Sequence, residues 1–181
     1  QYTYHNAKNA ETFGVELDVK KNLDFIGLRG LSFVCNAAYI YSRVRFEEGA
    51  PERDRPLAGQ SPYLVNAGFF YQYDDKGISA SLLYNRIGKR IESVGVPMQN
   101  QNEDIPDIYE MPRNSLDLTF SKKIGKIVEI KAGIQDMLNS KVEYKQFVKL
   151  TDDKGGKSER EQLIRSYRPG VDINIGVSLR F

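Results

Sequence analysis

The chain has 181 residues, with 26 Lys and Arg against 24 Asp and Glu, so its formal net charge is only +2. This near balance argues against a nucleic-acid-binding protein that depends on bulk positive charge. A single cysteine excludes an intrachain disulfide and a zinc site built from cysteines, and a single histidine, His5, excludes a histidine-rich metal site and argues against a Ser-His-Asp triad. We expect no metal and no cofactor.

Apolar and polar residues alternate along most of the chain, which predicts strands with one apolar and one polar face. The pattern is clearest at the end, where apolar residues occupy every second position from Val171 to Phe181. No run of 18 apolar residues predicts a transmembrane helix, but strands that cross a bilayer also keep their apolar residues at alternate positions. Seven segments carry the alternation, in chain order residues 13–19, 31–41, 63–73, 78–84, 116–120, 128–134 and 171–181.

Short and long links alternate strictly between these segments. The short links contain Asp and Gly turn chemistry, and the long links are rich in Pro, Gly and charged residues. In an up-and-down sheet every second link lies at the same end, so one end carries turns and the other carries loops, as in outer-membrane barrels. The short links are Asp74–Gly77 and Lys122–Lys126, and Lys21–Gly30 is intermediate in length. The long links are Phe46–Gln60, Gly88–Arg113 and Asn139–Pro169.

Aromatic residues fall near both ends of the predicted strands. This placement resembles the two interfacial girdles of a membrane barrel, although aromatic residues also favour strands in general. Tyr39, Tyr41, Tyr63 and Tyr84 lie toward the long links, and Phe69, Tyr71, Tyr73, Phe120 and Phe181 lie toward the short links.

Four stretches carry a family resemblance. Two of them are MPRNSLDLTFSKKIGKIVEIKAGIQDMLNSKV (Met111–Val142) and YRPGVDINIGVSLRF (Tyr167–Phe181), and the others are Glu11–Leu23 and Arg55–Ile91. In order and spacing they resemble the C-terminal part of a TonB-dependent outer-membrane receptor of a Gram-negative bacterium, of the Bacteroidetes type. The resemblance implies a transmembrane barrel of 22 strands. Residues 1–181 would then form about the last third of the barrel, with the plug domain, the TonB box and the signal peptide before Gln1.

The resemblance also implies a function and its partners. The complete protein would bind a nutrient, such as a metal chelate, a vitamin or a glycan fragment, at its extracellular mouth and import it with energy supplied through TonB. Outer-membrane lipid would surround the barrel, and the plug would fill it. Phe181, the terminal aromatic residue, would belong to the signal that the barrel-assembly machinery reads. The long links become extracellular and the short turns periplasmic.

Two arginines, Arg53 and Arg55 in the stretch Pro51–Pro56, are the candidate ligand contacts, because arginine pairs well with phosphate and carboxylate. A solvated loop is the alternative interpretation of this stretch and of Asp152–Gln162. Catalysis is not expected, since no spacing favours a pair of carboxylates. Charged residues on the polar side of the strands would face the barrel lumen, namely Glu16, Asp18, Asp117, Glu129, Lys131 and Arg180, whereas Cys35 falls on the apolar side.

Two other interpretations remain open. A small self-contained membrane barrel, acting as an adhesin or enzyme, needs an even number of strands, which an eighth strand in Lys141–Leu150 would supply. We favour a strand extension or a loop hairpin for that stretch. A soluble lipocalin-like barrel would instead turn its apolar residues inward around a ligand. For these residues alone we expect a curved antiparallel meander with two free edges, which is not a stable membrane pore by itself.

Overall fold

The computed structural model describes residues 6–50, 52–98, 104–151 and 156–180, and the predicted assembly residue Phe181 and His5 lie outside these ranges. No helix among the described residues is long and apolar enough to cross a membrane. The fold is all-β. Its strands are β1 (Asn9–Asn22), β2 (Leu31–Arg45), β3 (Tyr63–Tyr73), β4 (Ile78–Ile87), β5 (Arg90–Ser93), β6 (Ile108–Glu110), β7 (Arg113–Ile124), β8 (Val128–Gln135), β9 (Val142–Thr151), β10 (Lys157–Tyr167) and β11 (Asp172–Leu179).

Seven strands form one antiparallel sheet in the order β1-β2-β3-β4-β7-β8-β11. These are the seven strands that the alternation predicts, and each pairs with the next of the seven along the chain. The up-and-down meander is therefore confirmed. The sheet does not close, and β1 and β11 remain as its two edges, as expected for these residues alone.

The register places on one side the alternating apolar residues that predicted the seven strands, and we call this side the apolar face. Cross-strand partners share a face of the sheet. One such row runs from Leu82 through Leu118 and Ile134 to Ile173. The face is open to its surroundings, with Val15 74% exposed. Across the described residues only four apolar side chains are buried, namely Ala38, Val44, Ile91 and Val142, so the apolar residues form no sealed centre.

The opposite side, which we call the polar face, carries rows of hydrogen-bonding side chains. The amide of Asn36 donates to Asp18 over 2.7 Å, and two strands further on Asn85 donates to Asn66 over 2.5 Å. Five of the six charged residues predicted for this face lie on it by register, and the sixth, Arg180, directly follows the last paired residue of β11. Cys35 lies on the apolar face, as predicted.

The two ends of the sheet differ as the link lengths predict. At the short-turn end, 3-10 turns at Asp24–Ile26 and Asp74–Lys76 each close on a left-handed glycine, Gly27 or Gly77. Gly77 has φ of 60°, and a Cβ there would lie 2.9 Å from the Cβ of Lys123, so both backbone conformation and space favour glycine. The three long links all leave from the opposite end, which we call the long-link end.

The long links contain four strands, of which the sequence indicated only the one in Lys141–Leu150. They form a second sheet in the order β10-β9-β6-β5. Each of these strands continues a neighbour of the main sheet: β5 follows β4, β6 leads into β7, β9 follows β8, and β10 leads into β11. The stretch Lys141–Leu150 is thus not an eighth barrel strand. It forms β9, which extends β8 and makes a hairpin with β10, in agreement with the favoured interpretation.

Candidate functional site: a cavity at the long-link end

A cavity of about 390 Å³ lies at the long-link end, between the link after β2 and the second sheet. Its position follows from two backbone features. Val44 of β2 and Arg55 bond to each other through both amides, at 2.7 and 3.2 Å, so the link runs beside β2 like a short strand. The amide of Met111 donates to the carbonyl of Glu143 over 2.9 Å, so the second sheet lies directly beside the start of β7.

The side chains around the cavity mix charge, aromatic rings and apolar surface. Acidic and basic residues alternate along the link, and the second sheet adds two rings and further charges. The charged and aromatic side chains that line the cavity include Arg53, Asp54, Arg55, Lys89, Asp104, Asp107, Tyr109 and Phe147. Such a mixture suits a ligand that offers both hydrogen-bonding groups and flat or apolar surface.

Two carboxylates, Asp54 and Asp104, stabilise the walls of the cavity through hydrogen bonds and ion pairs. Asp54 accepts from the amide of Phe46 over 3.2 Å and from Arg43 over 3.1 Å. Asp104 accepts from the amide of Met98 and pairs with Arg53. In each case the backbone hydrogen bond is the main cause of a lowered pKa of the carboxyl, and the arginine adds to the effect. Both carboxylates are therefore ionised at neutral pH. Asp54 holds its link against the end of β2, and Asp104 joins this link to the link after β5 through Arg53.

Arg55 is a cavity cation whose buried donors have unused hydrogen-bonding capacity. As the cross-strand partner of Val44, it lies on the polar face of the sheet. Its guanidinium carbon is 5.1 Å from the centre of the Phe46 ring. Within the described part of the chain, its Nε and Nη1 atoms are buried and have no hydrogen-bond acceptor. A buried donor without an acceptor costs about 1–3 kcal/mol, so a small movement that brings in an acceptor would be favourable.

An aromatic pair forms the wall that the second sheet contributes. The ring centres of Tyr109 and Phe147 are 5.8 Å apart in an edge-to-face arrangement, and the ammonium of Lys89 lies 4.2 Å from both. Burial raises the pKa of Tyr109, and the nearby charge of Asp107 raises it further. Tyr109 therefore stays a neutral hydroxyl at neutral pH, able to donate a hydrogen bond.

Both arginines predicted from the sequence line this cavity, Arg53 through its pair with Asp104 and Arg55 through its buried guanidinium. Their role as ligand contacts stays a prediction. Sequence reasoning missed Lys89, Tyr109 and Phe147. Phe147 lies in the alternating stretch that suggested a strand, but Tyr109 lies in a strand of only three residues, which is too short to show a period. Among the described residues no group of three or more His, Cys, Asp or Glu is arranged to hold a metal ion.

Comparison with known proteins identifies a similarity to a transferrin-binding protein. Transferrin-binding protein A of Haemophilus influenzae is 25% identical to this chain over 152 residues, which cover 76% of the chain. The chain spans 16% of the length of that curated relative. No protein-family model matches the chain, and no solved structure matches it either. The similarity thus joins the chain to part of a much longer protein whose name describes transferrin binding.

Proposed function

We propose that the chain is the C-terminal part of the β-barrel of a TonB-dependent receptor in the outer membrane of a Gram-negative bacterium, of the Bacteroidetes type. One observation carries this proposal. The register of seven strands places exposed apolar side chains on one face and hydrogen-bonded polar side chains on the other. A wall between lipid and a polar lumen requires this arrangement.

The two ends and the two edges of the sheet support the same proposal. Short turns at one end and long, partly folded links at the other are typical of outer-membrane barrels, whose long loops are extracellular. Each unpaired backbone group at the edges β1 and β11 would cost several kcal/mol in hydrocarbon. A membrane wall therefore needs further strands to pair both edges, which fits a barrel of 22 strands with residues 1–181 as one segment of its barrel domain.

In this proposal the complete protein imports a nutrient and is not an enzyme. The ligand binds at the extracellular mouth, where the cavity with Arg53 and Arg55 lies. Metal chelates, vitamins and glycan fragments remain candidate ligands, and the name of the similar protein adds a transferrin. TonB, a plug domain and the barrel-assembly machinery, acting on Phe181, are the proposed partners. The polar face, including Asp18 and Asp117, would contact the plug.

The two alternative functions are less well supported. A soluble lipocalin-like barrel would enclose its apolar residues, whereas Val15 and Ile175 are 74% and 77% exposed here. A small self-contained barrel would need an even number of strands that close on themselves, whereas the sheet has seven strands and two edges.

Labelling of intact cells tests this proposal. In a receptor that carries the chain with Cys35→Ala, we place single cysteines at Glu48, in a long link, and at Lys126, in a short turn; both native side chains are exposed. A membrane-impermeant maleimide should label position 48 on intact cells and position 126 only after permeabilisation. The reverse pattern, or no association of the protein with the outer-membrane fraction, would contradict the proposal.

A second arm tests transport. Cells that carry the receptor are supplied with radioiron as ferric citrate or as iron-loaded transferrin, and separately with labelled cyanocobalamin and a labelled maltooligosaccharide. Uptake of at least one of these probes should depend on the receptor and should stop when a proton uncoupler is added. Surface binding without uptake in the presence of an energised membrane would contradict import.

A further inference from the structure

A row of arginine and tyrosine residues lies directly beyond the apolar face at the long-link end. In the second sheet Arg90, Glu110, Tyr144 and Arg165 are successive cross-strand partners of four neighbouring strands. Four strands spaced about 4.8 Å apart make this row about 14 Å wide. Below it, Arg86 occupies the apolar face of β4 and pairs across the sheet with Asn114. We call these residues the arginine–tyrosine row.

The row lies on the same side as the apolar face and away from the cavity. Tyr109 and Phe147, which line the cavity, occupy positions on β6 and β9 of opposite parity to Glu110 and Tyr144. Neighbouring positions on a strand point to opposite sides of the sheet. The row therefore does not belong to the candidate ligand site, which opens on the polar face.

Two of the three cations in the row lack a carboxylate partner among the described residues. Arg90 donates twice to one oxygen of Glu110, over 2.9 and 2.7 Å, so that pair is neutral. Arg86 donates only to neutral groups, the hydroxyl of Tyr63 at 3.3 Å and the amide oxygen of Asn114 at 2.7 Å. Arg165 packs on the rings of Tyr144 and Tyr167, with its guanidinium carbon 4.1 and 5.8 Å from their centres.

This geometry holds two guanidinium groups in fixed positions with donors to spare. Each guanidinium has five N–H groups, and the hydrogen bonds from Arg86 to Tyr63 and Asn114 use only some of them. The tyrosine rings restrict the side chains, so little conformational freedom is lost when an anion binds. Tyrosine is also the residue that favours the headgroup level of a membrane. A surface at that level, with two unneutralised arginines, complements an anionic headgroup.

We propose that the arginine–tyrosine row binds the phosphates of anionic membrane lipids that surround the long-link end. Arg86 and Arg165 lie at opposite sides of the row, so each supplies donors to a separate phosphate, and the rings of Tyr63, Tyr144 and Tyr167 hold them in place. Arginine presents its N–H groups in a fork that matches two phosphate oxygens. This inference rests on the proposed membrane location of the sheet, but it names a second surface with a different partner from the imported nutrient.

The test uses a receptor that carries the 181-residue chain, in zwitterionic micelles. Short-chain phosphatidic acid, and separately short-chain phosphatidylcholine, is titrated while the arginine side-chain Nε–H signals are followed by NMR. We expect saturable shifts with phosphatidic acid only, and at least a tenfold weaker affinity in the variant Arg86→Gln/Arg165→Gln. The matched control is Lys123→Gln/Lys131→Gln, which removes the same charge from the polar face and should leave the affinity within about twofold, because the removed charges are remote and screened.

Several outcomes would overturn the inference. These are equal affinity for the two lipids, equal losses in the two double variants, or full displacement of the lipid by millimolar inorganic phosphate, which would identify a site for a free ion. Failure of the proposed membrane location looks different, because the chain would then not enter zwitterionic micelles before any anionic lipid is added. Circular dichroism checks that both variants keep their β structure.

Discussion

Leu82 and Leu83 offer a matched pair for testing which face of the sheet contacts lipid. They are neighbours near the middle of β4, and their exposed fractions are nearly equal, at 37% and 38%. Leu82 lies on the apolar face between Phe69 and Leu118, whereas Leu83 lies on the polar face beside Asp117. Substitution of each by arginine therefore places the same charge at the same height on opposite faces.

The expected difference is large. An arginine on the lipid side of a barrel costs about 2–4 kcal/mol near the middle of the bilayer. This corresponds to a decrease of about 30-fold to 900-fold in the ratio of folded to unfolded chain. Leu83→Arg faces water and can approach the carboxylate of Asp117, so we expect a cost below about 1 kcal/mol.

Urea titration of a receptor that carries the chain, in short-chain lipid bilayers, measures the difference, with protease protection as the readout of the folded state. The two variants are compared with the unchanged chain under identical lipid and salt. Similar small costs for both variants would refute the reasoning, because two half-exposed leucines on a surface in water would tolerate arginine equally well. A larger cost for Leu83→Arg would mean that the faces are reversed.

Three further predictions concern individual contacts. Asp136→Asn should cost about 1–3 kcal/mol in urea unfolding, because Asp136 is a nearly buried partner of Arg113 and asparagine tolerates its positive φ. Gly77→Ala should cost more than Gly27→Ala in the same assay, since both have positive φ but only Gly77 is crowded. The pKa of Asp104 is lowered, so its contribution to stability should be complete above pH 3.8 and should be lost as the pH falls below that value. Urea unfolding at several pH values measures this loss, and a carbon NMR titration of the carboxyl measures the lowered pKa.

Most of the main sheet could be predicted from the sequence, because the two-residue period of a strand with one apolar face is strong in every one of the seven segments. Val171 to Phe181 alternates without an exception. The tight turns could be predicted as well. Asp74–Lys76 followed by Gly77 has the composition of a turn that ends on a residue in the left-handed conformation. Both features depend on local sequence alone.

The second sheet could not be predicted in the same way. Its strands lie in polar links. The alternation in Lys141–Leu150 indicated β9, but the other three strands show no clear hydrophobic period, and β6 has only three residues. They form because they continue strands whose register the main sheet has already set. The cavity depends on this long-range pairing, which is why the sequence could indicate Arg53 and Arg55 but not Lys89, Tyr109 or Phe147 beside them.

The central claim is that the apolar face contacts lipid and the polar face contacts water. Single cysteines at positions 79, 80, 81 and 82 of β4, each in a receptor that carries the Cys35→Ala chain, test it directly in a lipid bilayer. Register places Ser79 and Ser81 on the polar face, and Ala80 and Leu82 on the apolar face. We predict that a water-soluble maleimide labels positions 79 and 81, while an attached fluorophore at 80 and 82 is quenched by brominated lipid. Uniform labelling, or the opposite alternation, would contradict the claim.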